Sequence, residues 1–268
     1  MRFAPSRLIN TPDIELWPAG LLRARSNADA RTLARARWVL RRKRDGCYLA
    51  ASLPEGLMPL VPRLKFESGI EDALAALDEV ICSTRRGPPA AAELPLDRLH
   101  ERLQQLGLDE SYGPRHGLEL VAEPAHLALA GFDRYRRPLW LTAAAARAWQ
   151  GMQHRARMDG ILLEAISGYR SHAYQLAIFD RKLARGLDVA QILTVNAAPG
   201  YSEHHSGCAL DIGTPGELPA EESFEATPAF GWLQRHAGRF GFTMSYPRDN
   251  PFGIIYEPWH WCWHRAHA

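Results

Sequence analysis

The sequence contains no long apolar run. A membrane-spanning helix needs about 18 or more apolar residues in succession, and no stretch of the 268 residues approaches this length. Polar residues and prolines interrupt the first thirty positions, at Pro5, Asn10, Pro12, Asp13 and Glu15. They leave no room for the apolar core of a secretory signal, which spans roughly 7–15 residues. We therefore expect no membrane segment and a cytoplasmic location.

The sequence also has little excess charge and few cysteines. The formal net charge of +2 gives no general attraction to nucleic acid or to an anionic membrane. The cysteines are scattered and form no C-x-x-C pair, which indicates small buried thiols in a reducing compartment rather than a disulfide framework; they are Cys47, Cys82, Cys208 and Cys262. The length allows one large domain, or a small domain beside a medium one.

Residues 1–115 carry no recognisable catalytic motif. Apolar runs on either side of the turn at Asp45-Gly46 predict a β-hairpin over residues 37–51. Apolar residues recur at helical spacing between Ile70 and Ile81, which predicts a helix there. Residues 86–93 have the composition of a linker, and a short helix is expected over residues 96–106. We expect a separate α+β N-terminal region of unknown role.

Residues 116–268 alternate between helical and strand patterns. Helices are predicted for residues 142–158, 172–183 and 228–239, with Thr142 as an N-cap. Strands are predicted for residues 161–166, 209–212, 240–246 and 254–263. Within this half, helices come early and strands late, which favours an α+β domain over a doubly wound sheet.

Two segments hold residues suited to a metal centre, Ser202–Asp211 and Glu257–His260. A catalytic zinc ion takes three protein ligands, commonly imidazole or carboxylate, and keeps a fourth position for water. His204 and Asp211 are seven positions apart, so a straight strand would point them to opposite faces. A bend at Gly207 could bring them together. Pro258 argues against a regular central strand between Glu257 and His260, where a turn could aim both side chains into one cleft.

The two segments resemble the S-x-H-x-x-G-x-A-x-D and E-x-W-H signatures of the VanY-type D-alanyl-D-alanine carboxypeptidases, the M15 family of zinc peptidases. The segment Ser167-Gly168-Tyr169-Arg170-Ser171, with Gln175, matches the positions where that family carries a substrate-binding Arg and Gln. The resemblance covers residues 130–264 approximately. It implies a small domain with an antiparallel sheet and flanking helices, of the Hedgehog and D,D-peptidase type.

The resemblance also implies a role for each matching residue. His204, Asp211 and His260 would bind one zinc ion per chain, with Glu257 as the general base. Arg170 would stabilise the developing oxyanion or hold a substrate carboxylate, and Gln175 and Ser202 would place the peptide. The neighbouring His205 is expected to be solvated. Cys262 has no counterpart among the family's ligands, and a thiolate bound there would close the open position of the metal.

Three functions remain compatible with these residues. The first is a carboxypeptidase domain at residues 116–268 that removes the terminal D-alanine from peptidoglycan stem peptides. A cytoplasmic location favours an L,D-carboxypeptidase acting on muropeptides in wall recycling, with D,D-carboxypeptidase activity as an alternative. The second is a lysin-like endopeptidase that cuts within the stem peptide. The third is a zinc-stabilised binding module without turnover. The expected partner is a peptidoglycan-derived peptide, with no nucleic acid and no membrane segment.

Overall fold

The computed structural model describes residues 7–82, 92–109, 111–193 and 197–265. The chain forms two compact units. One comprises residues 1–95 and 124–128, and the other comprises residues 96–123 and 129–268. The chain thus passes from the first unit to the second after residue 95, returns to the first for residues 124–128, and then continues in the second. The sequence analysis suggested a single boundary at residue 115. The assignment of roles to residues 1–115 and 116–268 stays a prediction.

The first unit is an antiparallel sheet with two helices, α1 (Asn27–Arg35) and α2 (Ile70–Cys82). Its strand order is β5-β4-β3-β2-β1-β6, and β6 contributes residues 126–128 to it. The strands are β1 (Arg7–Asn10), β2 (Ile14–Pro18), β3 (Trp38–Arg42), β4 (Tyr48–Leu53), β5 (Gly56–Pro59) and β6 (His126–Phe132). The predicted hairpin is confirmed as β3 and β4.

Both faces of the central strands in this unit are buried. Trp38 and Leu40 of β3 pack in one apolar cluster with Ala73 and Leu77 of α2. The intervening Val39 belongs to a second cluster with Ala51 and Leu33. Alternate side chains of a strand point to opposite faces, so a run that is apolar throughout indicates a strand covered on both sides. The predicted helix from Ile70 is confirmed as α2.

The second unit holds an antiparallel four-stranded sheet of order β10-β11-β9-β8, flanked by helices. Residues 129–132 of β6 also belong to this unit, as does β7 (Pro138–Leu141). The sheet strands are β8 (Glu164–Ser167), β9 (Ala209–Gly213), β10 (Phe242–Met244) and β11 (His260–Trp263). The helices are α3 (Asp97–Gln105), α4 (Tyr112–His116), α5 (Ala143–Met158), α6 (His172–Leu183), α7 (Val189–Leu193) and α8 (Pro228–His236). This architecture confirms the predicted α+β class.

Most of the predicted elements of this unit are present, and three strands are shorter than expected. The strand predicted for residues 240–246 spans only Phe242–Met244. Helix α5 begins after the N-cap Thr142, whose hydroxyl accepts the N–H of Ala145. The last strand starts only at His260, because residues 257–259 form a turn before it. The strand expected from residue 161 begins at Glu164. Most of the linker predicted for residues 86–93 lies outside the described residues.

No helix among the described residues is long and apolar enough to cross a membrane.

Candidate metal centre

His204 and Asp211 are brought to one place by a bend in the chain. His204 lies in a short 3-10 turn, Glu203–Ser206, and Asp211 lies in the buried strand β9. Between them Gly207 adopts a positive φ of 67°, a conformation that glycine reaches without a steric penalty. The predicted bend at Gly207 is confirmed, and it ends the 3-10 turn just before the strand.

His260 reaches the same point from the neighbouring strand. Strand β11 pairs with β9 in antiparallel fashion, with His260 directly opposite Asp211. Side chains of directly opposed residues stand on the same face of a sheet. The backbone N–H of His260 donates to the carbonyl of Glu257 at 3.1 Å. This turn places the Glu257 side chain beside His260, as Pro258 had suggested.

The three side chains converge on one point. One possible ligand atom from each of His204, Asp211 and His260 lies within 4.8 Å of the other two, and all three residues are buried. An Asp211 carboxylate oxygen is 3.3 Å from Nε2 of His204 and 3.2 Å from Nδ1 of His260. Two imidazoles and a carboxylate form a donor set that suits zinc and leaves a fourth position open.

Each histidine is oriented by a hydrogen bond on its outward nitrogen. His204 donates its Nδ1–H to the carbonyl of Gly168 at 2.8 Å, which leaves Nε2 directed at the centre. His260 donates its Nε2–H to the Glu203 carboxylate at 2.8 Å, which leaves Nδ1 directed there. Glu203 in turn accepts the hydroxyl of Ser245 at 2.6 Å. Such outer hydrogen bonds fix the ring orientation and tautomer of a metal-binding histidine.

The charges at the centre favour a cation. Burial opposes ionisation of Asp211, but His204 and His260 outweigh it and hold the pKa of the carboxyl well below its usual range. Burial also opposes a charge on His260, yet its bonds to Asp211 and Glu203 raise the pKa of the ring to about 9. A metal ligand must be deprotonated, so a bound metal would displace the proton on Nδ1.

Glu257 lies next to the three candidate ligands and lines the same cavity. Its carboxylate is 3.8 Å from Nδ1 of His260. Burial, assisted by the charge of Asp211, raises the pKa of Glu257 to about 7 against the opposing effects of His260 and Arg170. A general base works best with a pKa near the operating pH, and this carboxylate meets that condition.

The cavity beside the centre has a volume of about 660 Å³, which falls in the range of small-molecule sites. Its polar wall includes Glu257, Arg170 and Ser202 together with the three candidate ligands. The remaining wall is mostly aromatic and aliphatic, and includes Tyr112, Leu118, Leu193, Tyr246, Phe252 and Trp259.

The other predicted substrate-binding residues occupy different positions. Ser202 lines the cavity. Gln175 is buried, with its amide oxygen accepting from the Arg170 guanidinium at 3.2 Å and its amide nitrogen donating to the Ala197 carbonyl at 3.0 Å. In this structure Gln175 therefore supports Arg170, and a direct contact of Gln175 with substrate stays a prediction.

Two features of the centre differ from the sequence prediction or were missed by it, namely the role of Glu203 and the burial of His205. Glu203, which the sequence analysis left without a role, lies between Ser202 and His204 and orients His260. The sequence signal that could have indicated this role is an acidic residue directly beside a candidate metal ligand. His205 was expected to be solvated, but it is fully buried because both ring nitrogens are hydrogen-bonded inside the protein. Cys262 is not among the three grouped residues; burial raises the pKa of its thiol, which lies against Glu203.

Comparison with known proteins places this centre in a family. Residues 138–266 match the sequence model of VanY, described as D-alanyl-D-alanine carboxypeptidase. The YodJ protein of Bacillus subtilis (strain 168) is 32% identical over 171 residues, covering 58% of this chain and 62% of YodJ. A D-alanyl-D-alanine carboxypeptidase of Enterococcus faecium is 41% identical over 133 residues, covering 48% of this chain and 39% of that protein.

Two solved structures are similar over about half of the chain. A vancomycin-resistance D,D-pentapeptidase VanY, solved as a mutant in complex with Zn(II), is 31% identical with a TM-score of 0.39, covering 47% of this chain and 74% of that one. The LD-carboxypeptidase LdcB is 30% identical with a TM-score of 0.47, covering 50% and 64%. The chain thus spans less than two thirds of YodJ and of LdcB. On this match, residues 138–266 of the chain belong to the VanY family of D-alanyl-D-alanine carboxypeptidases.

Proposed function

We propose that this chain is a zinc-dependent carboxypeptidase that hydrolyses the peptide bond before the terminal D-alanine of peptidoglycan stem peptides. The observation that carries the proposal is the convergence of His204, Asp211 and His260 beside Glu257, in a cavity that also contains Arg170. Family membership supports the choice of bond, since relatives in the family are named for D-alanyl-D-alanine cleavage.

The side chains divide the reaction between them. A zinc ion held by His204, Asp211 and His260 would supply Lewis acidity, which lowers the pKa of a coordinated water from about 15.7 to about 7. Glu257 takes the proton of the attacking water and passes it to the leaving amine. The planar fork of Arg170 matches a carboxylate in two hydrogen bonds, and it suits either the terminal carboxylate or the developing oxyanion. Aromatic and aliphatic side chains border these charged groups in the cavity.

Within this class we infer a preference for the L,D bond, in which D-alanine follows the diamino acid of a muropeptide tetrapeptide, as expected for wall recycling. Incubation of the protein with tri-, tetra- and pentapeptide muropeptides tests it. Release of D-alanine from the tetrapeptide is the expected result. Release from the pentapeptide alone would contradict the L,D preference and leave a D,D-carboxypeptidase.

Metal content and D-alanine release, measured on the same variants, test the proposed function. We expect one zinc ion per chain in the wild type, with zinc and activity both lost in His204→Ala and His260→Ala. Glu257→Gln should keep its zinc but lose roughly 10²–10⁴-fold in kcat, the usual contribution of a general acid–base group. The exposed Glu221→Gln is the matched control. Full activity in Glu257→Gln would contradict its role as the general base, and a wild type that binds zinc but releases no D-alanine would favour a binding module without turnover.

A further inference from the structure

A segment that precedes the family match is hydrogen-bonded to the chain next to Arg170. Residues 119–123 lie outside the matched residues 138–266, yet they belong to the same compact unit. The N–H of Val121 donates to the carbonyl of Gly200 at 2.7 Å, and the Val121 carbonyl accepts Nε2–H of His172 at 2.8 Å. The segment is therefore hydrogen-bonded to two chain regions. One is the loop at Gly200, and the other is the start of helix α6 at His172, two residues after Arg170.

Glu123 is the charged member of this segment, and it is almost completely buried. One carboxylate oxygen accepts the backbone N–H of His172 at 2.9 Å and lies 3.3 Å from Nδ1 of the same residue. The other oxygen accepts the hydroxyl of Tyr169. Hydrogen bonds to an ionised acceptor are about twice as strong as neutral ones. Glu123 thus holds the chain on both sides of Arg170 in sequence.

The Arg170 backbone and guanidinium are held at the same time. Its N–H donates to the His204 carbonyl at 3.1 Å, and its carbonyl accepts Nδ1–H of His205 at 2.6 Å. Its guanidinium donates to Gln175 at 3.2 Å. His205 is itself fixed, because Gly200 donates its N–H to Nε2 of His205 at 3.1 Å. The network starting at Glu123 and Val121 therefore extends to Arg170, and through it to the metal-binding residue His204.

We propose that Glu123 is a positioning residue for Arg170, and that the segment 119–123 is part of the substrate-binding apparatus. The role rests on the proposed function, in which Arg170 holds the terminal carboxylate of the peptide. A bidentate contact to a carboxylate requires a guanidinium that is held in one orientation. A displacement of about 1 Å in a substrate-positioning group can lower the reaction rate on the order of 10²-fold. The buried Glu123 carboxylate holds the guanidinium in place from outside the residues that match the family model.

The test measures binding rather than turnover. The zinc-loaded Glu257→Gln protein is titrated by calorimetry with stem tetrapeptide and pentapeptide, and the tighter ligand is used. In this background, Glu123→Ala and Tyr169→Phe should each weaken binding, with Glu123→Ala raising Kd roughly tenfold. Glu119→Ala removes an exposed acid from the same segment and should leave Kd within about twofold. Zinc content should stay at one per chain in all of them.

A double-mutant cycle separates positioning from general damage. If Glu123 acts through Arg170, then Glu123→Ala should weaken binding by less than about twofold once Arg170→Lys is present, because the interaction is already lost. A full tenfold effect on the Arg170→Lys background would overturn the inference, as would an unchanged Kd in both Glu123→Ala and Tyr169→Phe. If Glu123→Ala does not fold, Tyr169→Phe alone serves in the cycle. Absence of any binding by the parent protein would instead overturn the proposed function, and this inference with it.

Discussion

At the scale of single residues, the geometry of the centre depends on which ring nitrogen of each histidine points inward, towards Asp211. His204 and His260 use opposite ring nitrogens, Nε2 and Nδ1, because their outer partners sit on opposite sides. For His204 the partner is a backbone carbonyl, that of Gly168, which no side-chain substitution can remove. For His260 the partner is the Glu203 carboxylate. The orientation of His260 can therefore be altered by a substitution of Glu203, which is not itself one of the candidate ligands.

We predict that Glu203→Ala weakens zinc binding by roughly 10–100-fold, the usual effect of removing an outer partner of a metal-binding histidine. The substitution removes the acceptor of Nε2–H of His260 and one negative charge close to the ion. Competition with a chromophoric chelator measures the dissociation constant. The exposed Glu221→Ala carries the same charge change and should bind zinc as the wild type does. Equal affinity in both variants would contradict an orienting role for Glu203.

The sequence was sufficient to identify the three grouped residues, but not their supports. His204, Asp211, His260 and Glu257 stand inside short motifs whose residue types suit the chemistry. The support from Ser245 to Glu203, by contrast, joins positions 42 apart in the chain. Such a partner cannot be inferred from local spacing, because it depends on which strands become neighbours. Burial of His205 was missed for the same reason, since its partner Arg170 lies 35 positions away in the chain and approaches it only in the fold.

At the scale of elements, periodicity predicted helices better than the edges of strands. Helix α2 begins at the residue that the apolar spacing indicated, and α6 has the predicted bounds His172–Leu183. Strand β11 is shorter than predicted because a turn from Glu257 to His260 precedes it. The aromatic composition of residues 254–263, on which the prediction rested, does not indicate this turn. The pairing of β11 with β9, which sets His260 opposite Asp211, has no local signature.

Helices α5 and α8 are linked by an acid whose contribution should depend on pH. Trp232 of α8 donates its indole N–H to Asp159 at 2.9 Å, and Arg155 donates to the same carboxylate oxygen at 3.1 Å. The bonds from Trp232 and Arg155 hold the pKa of Asp159 below its ordinary value. A carboxyl group with a lowered folded-state pKa stabilises the protein above its unfolded pKa, near 3.9, and this stabilisation is lost as the pH falls through the folded value.

We therefore predict that Asp159→Asn lowers the free energy of unfolding at pH 7, and that its difference from the wild type narrows as the pH falls below about 4. Urea unfolding of the metal-free proteins at several pH values gives the two free energies. Asp249→Asn, at an exposed aspartate, controls for the loss of one negative charge. A difference that stays constant with pH, or grows towards acid, would mean that the Asp159 carboxylate does not provide this link.

At the scale of the whole molecule, the family match and the structural unit have different limits. The match starts at residue 138, but the unit that contains the centre also includes residues 96–123. Within that unit, Tyr112 and Leu118 line the cavity. Sequence analysis placed the boundary at residue 115, in the middle of this segment, because composition alone does not show that the chain contributes residues 124–128 to the other unit. The residues that match the family model therefore form only part of the lining of the cavity.

Zinc bound at the proposed centre of His204, Asp211 and His260 should stabilise the folded chain. A ligand that binds only the native state adds RT ln(1 + [L]/Kd), or about 2.7 kcal/mol when free zinc is 100-fold above Kd. For a protein of this size we expect removal of zinc by a chelator to lower Tm by roughly 5–10 °C. Differential scanning calorimetry with chelator, and again after zinc is restored, measures the shift. His204→Ala should show little or no zinc-dependent shift, because one of the three buried donors is gone. An equal shift in His204→Ala would locate the stabilising metal elsewhere in the chain, and a wild type with no shift would argue that the native centre has no appreciable affinity for zinc.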